Sequence, residues 1–327
     1  MTVSCVRVER EAGETTRQRL EEAGLLSETH DIAVDGEDLY IPVTEASAVP
    51  DDLEVVQFDA PLRETRTMPE DILGFQPSYE RLGEVVIIDE DDPERARKIA
   101  GAIMDSDLPV ETVMNKASKV KGRERVRDWD VLAGDGTEAT HREYGSEFRL
   151  DLTTVYFSPR LATERHRVVE QVSASERVFD MFAGVGPYAI PMAKKGATVV
   201  ATDINADAIR YLRENAERND VSNSVTAIHG DVQAVALDYE DYADRVVMNL
   251  PHSAADFLDA AIQLAGAECT VHYYDIQHEE DPFGPGKSAI EAAAGSEYDV
   301  SVETERIVRT YAPHEVNVVL DVRLTAR

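Results

Sequence analysis

The chain has 327 residues, of which 43% are hydrophobic; this content excludes wholesale disorder, and the length predicts two or three folded domains. No apolar run reaches the ~20 residues that a membrane-spanning helix needs, and the N-terminal stretch has no apolar signal core, so we expect no membrane contact and no secretion. Two cysteines, Cys5 and Cys269, are too few for a disulfide scaffold or a cysteine-only zinc site, which favours a reduced cytoplasmic setting.

The charge balance is strongly acidic, because 64 acidic residues stand against 33 basic ones and the net charge is −31. Taken alone, this charge argues against nucleic acid as a partner, since phosphate groups bind to positive surfaces. A second interpretation is halophilic adaptation, in which a coat of carboxylates maintains solubility and cytoplasmic salt screens their repulsion. Only 7 of the basic residues are lysines, which suits that interpretation. The local distribution of charge must therefore identify the partner.

Four segments follow one another along the chain. Residues 1–60 combine strand-like stretches with one helix-like stretch and predict a small α/β domain. Residues 61–77, marked by proline and acidic residues, predict a linker. Residues 78–150 predict a second small domain of strands and a helix. From residue 151 to residue 327 strands alternate with helices, which is typical of a doubly wound parallel sheet.

The last segment predicts five parallel strands and a closing antiparallel hairpin. The predicted strands are Arg177–Met181, Thr198–Thr202, Ser224–Ile228, Arg245–Met248 and Thr270–Asp275, followed by the hairpin strands Glu305–Tyr311 and Val316–Val322. Apolar residues at helical spacing predict a helix over Asp207–Asn219, and an exposed loop is predicted at Glu279–Lys287.

A glycine loop joins the first of these strands to the next helix. Gly184 and Gly186 allow a close approach of the backbone to a ligand, and Pro187 suits the first turn of a helix. Asp203 ends the next strand, where a carboxylate can accept both hydroxyls of a ribose. Asp231, after the third strand, is placed to meet an adenine amino group, and Asp180 precedes the loop.

Three interpretations of this loop stay open from the residues alone. It can be a tight structural turn, or it can bind a dinucleotide, because the loop matches the pattern G-x-G-x-x-A. The carboxylate of Asp180 would repel a pyrophosphate but would suit a cofactor with a charged amino-acid tail. Acids at three strand ends therefore favour S-adenosylmethionine.

A second motif, Asn249-Leu250-Pro251-His252, follows the fourth strand. Enzymes that methylate nitrogen atoms of nucleobases carry an Asn or Asp with proline at this position, and the Asn amide offers a donor and an acceptor to a planar base edge. The alternative is that Asn249 only caps the next helix. Together with the glycine loop, the motif favours a base-methylating site.

Three ordered motifs carry a resemblance to a known family. Phe157–Arg165, Asp180–Pro187 and Asn249–His252 resemble the archaeal and eukaryotic tRNA (guanine-N1)-methyltransferases that act at tRNA position 37. The match runs through the middle and catalytic regions and is weaker near the N-terminus. The resemblance implies an α/β fold, with a class I methyltransferase (Rossmann-like) catalytic domain and two smaller N-terminal α/β domains. It also implies S-adenosylmethionine as the cofactor and tRNA, through its anticodon loop and body, as the partner.

The resemblance also implies roles for individual residues. Glu164 matches the family's general base, which removes the proton from guanine N1, and Arg125 matches an arginine that stabilises negative charge on O6. Asn249 would orient the base, while Tyr156, Arg160 and Arg165 would line the site. For Glu164 the alternative is a surface ion pair with Arg160 or Arg167. The residues expected to bind the cofactor are Arg165, Asp180, Phe182, Ala183, Gly184, Gly186, Pro187, Asp203, Ile204, Asp231, Val232, Asn249, Leu250 and Pro251.

A basic stretch stands out in this acidic protein, because Lys119, Lys121, Arg123, Arg125 and Arg127 occupy every second position. As a strand, the stretch would place all five on one face and form a stripe that contacts RNA phosphates. The alternative is a surface strand with solvated charges. We expect Lys119, Lys121, Arg123, Tyr156 and Arg160 to bind RNA.

The function predicted from the sequence is methyl transfer to N1 of guanine 37 in tRNA by a cytoplasmic enzyme, which we expect to be monomeric and without a metal site. The nearest alternative is the related wyosine-pathway enzyme, which transfers the aminocarboxypropyl group of the same cofactor to tRNA. An NAD-dependent oxidoreductase and a non-catalytic RNA-binding protein are the alternatives from other classes.

Overall fold

The computed structural model describes residues 2–63 and 66–327, and the chain divides into two compact units, Met1–Thr67 and Met68–Arg327. Among the described residues, every helix is too short or too polar to cross a bilayer. Within the same residues, no three His, Cys, Asp or Glu side chains converge as metal ligands would.

The first unit is a four-stranded antiparallel sheet with a helix packed on it. In chain order its elements are β1 Val3–Glu9, α1 Gly13–Glu22, β2 Ala33–Asp35, β3 Asp38–Pro42 and β4 Glu54–Phe58. The strand order is β2-β3-β1-β4. Leu20 of α1 is buried together with Val6 and Ile41 of the sheet, so the apolar side chains of α1 and the central strands form one small core.

The second unit begins with a mixed sheet. Its first elements are α2 Pro69–Leu73, β5 Tyr79–Leu82, β6 Val85–Ile88, α3 Pro93–Met104, β7 Thr112–Lys116 and β8 Trp129–Ala133. Asp92 caps α3 by accepting hydrogen bonds from the backbone amides of Glu94 and Arg95. Leu73 and Phe75 pack against the core between α3 and the sheet. The predicted linker 61–77 is therefore too long, because its second half belongs to this folded unit.

The basic stretch is not a strand, and this prediction was wrong. Residues 117–128 form a loop between β7 and β8, closed by an isolated bridge between Lys121 and Val126. Gly122 and Arg125 both have left-handed backbone conformations, with φ values of 65° and 56°. An extended strand cannot contain such residues, so the five cations do not share one face.

The remaining elements form a hairpin and a seven-stranded sheet with helices. They are β9 Glu138–Glu143, β10 Ser146–Asp151, α4 Ala162–Glu170, β11 Arg177–Asp180, α5 Ala189–Lys194, β12 Thr198–Asp203, α6 Ala206–Arg218, β13 Val225–His229, α7 Val232–Val235, β14 Ala243–Met248, α8 Leu258–Leu264, β15 Ala265–His278, α9 Gly284–Ala294, β16 Tyr298–Ala312 and β17 Glu315–Ala326.

The strand order in the large sheet is β13-β12-β11-β14-β15-β17-β16. The first five strands run parallel, β17 pairs antiparallel with β15, and β16 pairs antiparallel with β17 at the edge of the sheet. This arrangement confirms the predicted five parallel strands with a closing hairpin. Helix α9 begins at Gly284, so only the first part of the predicted loop 279–287 is irregular.

One hydrophobic core joins the small sheet to the large one. Leu82 and Met114 of the small sheet, Phe148 of the β9–β10 hairpin and Val178 of the large sheet all belong to the same buried cluster. The loops that follow β11, β12, β13 and β14 meet at one edge of the sheet, because the carboxyl ends of parallel strands lie side by side. That edge is where the predicted site residues gather.

Candidate active site

The loop after β11 is a tight bend that favours glycine at two positions. Gly184 and Gly186 have φ values of 53° and 96°, in the region that side chains disfavour. A side chain on Gly186 would collide with Leu212 and Ile190. The Gly184 amide donates a hydrogen bond of 2.8 Å to Asp203 Oδ2, which ties the bend to the end of β12.

Asp180, the last residue of β11, is completely buried. The backbone amides of Phe182 and Ala189 lie near enough to lower its pKa, yet neither makes a hydrogen bond of normal geometry to the carboxylate. Burial is the main cause that raises the pKa of Asp180 to about 7, and the charge of Asp203 adds to the rise. A buried carboxylate without a partner fits the positively charged amino group of S-adenosylmethionine.

Asp203 and Asp231 lie at the next two strand ends, as expected. Asp203 Oδ1 accepts a hydrogen bond of 2.8 Å from the Asn205 amide, and burial raises the pKa of Asp203 against the lowering effect of these backbone amides. Asp231 caps α7. Its Oδ2 accepts a hydrogen bond of 2.8 Å from Arg123, and this bond is the main cause that lowers the pKa of Asp231.

The other residues expected to bind the cofactor surround the same strand ends. Phe182 and Ala183 precede the bend and Pro187 follows it, while Ile204 and Val232 come directly after Asp203 and Asp231. The carbonyl oxygen of Ile204 contacts His229 Nε2 at 3.0 Å. These positions and the orphaned Asp180 together fit an S-adenosyl group.

Leu250 and Pro251 lie in the loop after β14, beside β15. The Leu250 amide donates to the Met248 carbonyl at 3.0 Å, and the Ile276 amide donates to the Pro251 carbonyl at 3.1 Å. Asn249, which begins this loop, has no hydrogen-bond partner for its side chain among the described residues. Its amide is therefore available to a ligand.

Arg165 is placed differently from the expectation. Its Nε and Nη2 donate to Glu143 at 2.7 and 2.6 Å, and its Nη1 donates to the Ser158 carbonyl at 3.0 Å. The Arg165 and Glu143 side chains are only 3% and 6% exposed. With all three guanidinium nitrogens engaged in a buried pair, Arg165 ties α4 to the β9–β10 hairpin rather than lining an open site.

Glu164 lies in the first turn of α4 and is 4% exposed. The Arg167 guanidinium contacts both carboxylate oxygens, with its closest bond at 2.7 Å, so the alternative ion pair predicted for Glu164 does form. The pair is buried rather than on the surface. Tyr274 also donates to Oε1 at 2.9 Å, and Arg306 lies 3.4 Å from Oε2.

A buried polar network behind Glu164 was not predicted from the sequence. Arg167 donates to both oxygens of Asp321 at 2.5 and 3.1 Å, and His272 Nδ1 lies 2.6 Å from Asp321. Arg245 donates to His272 Nε2 at 2.7 Å, so the ring is neutral and its Nδ1 donates to Asp321. Burial lowers the pKa of His272, which agrees with a neutral ring. The sequence signal for this network is a polar residue inside an apolar strand, at His272 and at Asp321.

Tyr188 extends the network toward the glycine bend. Its hydroxyl donates to the Tyr274 hydroxyl at 2.9 Å, and both rings are buried. Burial raises the pKa of each phenol, so both remain protonated donors. The Tyr274 hydroxyl thus fixes the position of Glu164 Oε1.

A cationic cavity of about 150 Å³ is lined by residues of the small sheet and by the segment that precedes α4. Its wall contains five cations, three aromatic residues and one acid: Lys116, Arg125, Arg127, Arg160, Arg309, Trp129, Tyr156, Phe157 and Glu80. Arg125 lies over the Tyr156 ring at 5.2 Å, and Arg127 lies over the Trp129 ring at 5.4 Å. Glu80 pairs with Lys116 at 3.2 Å and with Arg160 at 2.7 Å.

Tyr156 connects this cavity to the glycine bend. A Cβ atom at Gly184 would lie 3.9 Å from the Tyr156 carbonyl oxygen, and Tyr156 also lines the cavity, where Arg125 lies over its ring. Burial, and then the charge of Arg125, lower the pKa of His252, which places Arg125 near the loop that follows β14. The structure therefore brings together Arg125, Tyr156 and Arg160.

The three basic loop residues expected to bind RNA do not line this cavity. Lys119 is exposed and has no acidic partner in the described part of the chain. Lys121 pairs with Asp128, and Arg123 reaches Asp231 as described above. Arg123 thus links the basic loop to the acid expected to meet the adenine.

Asp180→Asn should weaken binding of S-adenosylmethionine by about tenfold or more, because a charge-assisted hydrogen bond is lost. In the wild type we expect affinity to fall as the pH drops below about 7, since the ammonium of the cofactor must first displace the proton of Asp180. In Asp180→Asn that pH dependence should disappear. Isothermal titration calorimetry at pH 5.5 to 7.5 measures both effects.

The stability of the free protein provides the control for this prediction. The pKa of Asp180 is higher in the folded protein than in the unfolded chain, because the buried side chain favours its protonated form. The contribution of protonated Asp180 to folding stability is therefore present at low pH and is lost as the pH rises through about 7. Asp180→Asn should therefore lose no stability at pH 8. Asp244→Asn, at the opposite end of the sheet, should leave cofactor affinity unchanged. A wild-type pH profile retained in Asp180→Asn would contradict the assignment.

The chain is similar to known proteins along nearly its whole length. The chain matches the TRM5/TYW2 methyltransferase domain over residues 139–303, the tRNA methyltransferase 5 N-terminal domain over residues 5–51 and the TYW2 N-terminal domain over residues 62–137. The tRNA (guanine(37)-N(1))-methyltransferase Trm5b of Pyrococcus abyssi is 40% identical, over 98% of this chain and 98% of that protein.

Two solved structures extend the likeness to three dimensions. The complex of aTrm5 and tRNALeu is 31% identical with a TM-score of 0.74, covering 98% of this chain and 99% of that chain. M. jannaschii TYW2 in complex with AdoMet is 27% identical with a TM-score of 0.63, covering 76% of this chain and 100% of that chain. The expected class I methyltransferase fold is thereby confirmed, and the chain belongs to the TRM5/TYW2 methyltransferase family.

Proposed function

We propose that this protein is a tRNA (guanine(37)-N1)-methyltransferase. The observation that carries the proposal is the position of Tyr156, which lines the cationic cavity and whose carbonyl group lies against the glycine bend. An RNA base held among the cations would therefore lie next to the cofactor. Similarity to Trm5b over the whole chain supports the same function.

S-adenosylmethionine, when bound, supplies the methyl group. Asp180 would bind its amino group, Asp203 its ribose, and Asp231 its adenine. For Asp231 this requires that Arg123 release or share the carboxylate, because Oδ2 is already occupied. The amide of Asn249 would bind the edge of the guanine and orient N1.

Glu164 would act as the general base. Guanine N1 becomes nucleophilic when it loses its proton, which would go to the Glu164 carboxylate. N1 would then bond to the methyl carbon as the bond from that carbon to the sulfonium sulfur breaks, leaving S-adenosylhomocysteine. Oε1 accepts two hydrogen bonds from Arg167 and one from Tyr274, whereas Oε2 accepts a single bond, of 3.0 Å, from Arg167 Nε. We therefore assign the proton to Oε2, where Arg306 lies at 3.4 Å. Arg125 would stabilise the negative charge that spreads to O6.

The related aminocarboxypropyl transfer remains the second candidate, because the family includes TYW2 and residues 62–137 match a TYW2 domain. The deciding experiment incubates unmodified tRNA with labelled cofactor and maps the product by nuclease digestion and mass spectrometry. A methyl group on guanine 37 supports the proposal. An aminocarboxypropyl group, or no modification, would contradict it. A tRNA with adenine at position 37 serves as the negative control.

The proposed partner is folded tRNA, and the proposed setting is a salt-rich cytoplasm. We propose that residues 1–60 contact the tRNA body and that residues 78–150 and 151–327 hold the anticodon loop, with the target base flipped into the cavity. We also propose a monomer that works in a salt-rich cytoplasm. The net charge of −31 supports that setting, and the cationic cavity explains how so acidic a protein can bind RNA.

Lys119→Glu should weaken tRNA binding by roughly tenfold at moderate salt, because one phosphate contact is replaced by repulsion. Lys119 suits this test because, unlike Lys121 and Arg123, it has no acidic partner among the described residues. Filter binding at several salt concentrations measures the loss. Lys195→Glu, at the C-terminal end of α5, is the control for charge reversal at a lysine that already pairs with an acid, Glu170. Equal affinities at matched salt for Lys119→Glu and wild type would favour a merely solvated lysine.

A further inference from the structure

The C-terminal hairpin contributes one cation to the wall of the cavity that the proposed mechanism does not use. Arg309 of β16 lines the cavity beside Lys116 and Arg127. Its Nε is buried and has no hydrogen-bond partner, and it forms no ion pair with any described residue. A buried guanidinium nitrogen without a partner is unfavourable unless a ligand completes its hydrogen bonds.

A β-bulge aims Arg309 at the cavity. Arg306 lies opposite Val319 and Arg309 lies opposite Asn317, with an irregularity between Ile307 and Arg309. Residues 317 and 319 point to the same face of β17, so Arg306 and Arg309 share that face although they are three residues apart. Without the extra residue, Arg309 would point to the opposite face of the sheet.

The shared face is the side of the sheet that carries the site. Val319 belongs to the same buried cluster as Leu152 and Phe157, which line the cavity. Arg306 lies 3.4 Å from Glu164 Oε2. The two arginines are therefore separated by about two residues of strand, or roughly 7 Å. This distance is comparable to that between a nucleobase and the phosphates of its own nucleotide.

Arg309 has no acidic side chain free to pair with it among the described residues. The one acid in the cavity wall, Glu80, already pairs with Lys116 and Arg160. Asn317, directly opposite, is 3% exposed and neutral, and its Oδ1 also has no hydrogen-bond partner. The ligand that suits Arg309 is therefore an anion, and a planar guanidinium matches the oxygens of a phosphate group.

We propose that Arg309 binds a backbone phosphate of the RNA immediately next to the methylated guanine. This inference depends on the proposed function, since it takes the occupant of the cavity to be tRNA. Arg309 acts in binding and contributes no proton transfer. Its loss should therefore reduce affinity for tRNA while the rate of methyl transfer on bound tRNA stays nearly unchanged.

The test uses Arg309→Gln and Arg309→Lys in the full chain. For Arg309→Gln we expect the Kd for tRNA to rise about three- to tenfold at moderate salt, and the slope of log Kd against log salt concentration to fall by about 0.7, as for one lost phosphate contact. The saturating single-turnover rate and the affinity for S-adenosylhomocysteine should stay within about twofold. Arg309→Lys should keep the wild-type salt slope, because it retains the charge.

Arg323→Gln is the control, since Arg323 lies on β17 at the end of the hairpin away from Arg309 and pairs with Glu268. A second measurement identifies the phosphate with tRNAs that carry one neutral methylphosphonate in the anticodon loop. Neutralising one of the linkages that flank guanine 37 should weaken binding of the tRNA to the wild type as much as Arg309→Gln does. The same neutral linkage should cause no further loss of affinity in Arg309→Gln. Additive losses at every linkage, or an unchanged Kd and salt slope, would overturn the assignment.

Wild-type activity separates the two proposals. If wild type methylates guanine 37 while Arg309→Gln binds tRNA normally, only the role of Arg309 is wrong. If wild type leaves guanine 37 unmodified, the proposed function is wrong and the assignment of Arg309 is wrong with it.

Discussion

Glu164→Gln should lower the single-turnover rate of methyl transfer by about 10²- to 10⁴-fold, the range for loss of a general base. The amide has nearly the same shape as the carboxylate but cannot accept the proton of guanine N1. Tyr274 can still donate to the amide oxygen, and Arg167 keeps its two bonds to Asp321, so the packing around α4 should survive. Rapid-quench assays with saturating tRNA and cofactor measure the rate.

Two controls accompany this variant. Its affinity for S-adenosylhomocysteine should equal that of wild type, because no cofactor contact is assigned to Glu164. Glu170→Gln, in the same helix but exposed and paired with Lys195, should leave the rate unchanged. A Glu164→Gln enzyme with a rate near that of wild type would show that Glu164 only anchors Arg167, and that the proton leaves by another route.

Arg125→Ala should lower the same rate by about 10²- to 10³-fold, as for loss of one group that stabilises developing negative charge. The guanidinium lies over the Tyr156 ring in the cavity wall, where a base oxygen could reach it. Cofactor affinity should stay close to that of wild type. The effect should appear in the rate at saturating tRNA more than in the Kd for tRNA.

The backbone of Arg125 requires its own control. Its φ of 56° is left-handed, so alanine is strained at this position. Asn tolerates that conformation, and Arg125→Asn should therefore be as slow as Arg125→Ala if the lost charge is the cause. Arg142→Ala, an exposed residue of β9, should react at the wild-type rate. Restored activity in Arg125→Asn would attribute the defect to the loop and not to charge on O6.

The parallel strands were predictable because each contains an apolar stretch, and the hairpin because two strand-like stretches lie on either side of a short turn at 313–314. Only their ends differ; the fifth strand, for example, extends over Ala265–His278 because it pairs along most of its length with β17. The predicted basic strand failed for a different reason. Alternating charges occur equally in a loop, and the left-handed residues Gly122 and Arg125 decide the conformation there.

The site was predictable where its chemistry is local. The bend at Gly184 and Gly186, the acids at three strand ends and the Asn249 loop are each set by a few consecutive residues. Partners brought together from distant segments were not predictable. Arg165 pairs with Glu143, Arg123 reaches Asp231, and Arg167 binds Asp321, which is 154 residues further along the chain.

The amino-acid sequence by itself determined the order of the strands along the chain, the glycine bend and the positions of its acids, because backbone conformation and apolar periodicity depend on neighbouring residues. Only the tertiary structure decided which charges are paired and which remain available. It pairs Arg165 within the protein, buries Glu164 between Arg167 and Tyr274, and turns Arg309 into the cavity through a one-residue bulge. Ion pairs depend on distances across the fold, and no local pattern encodes those distances.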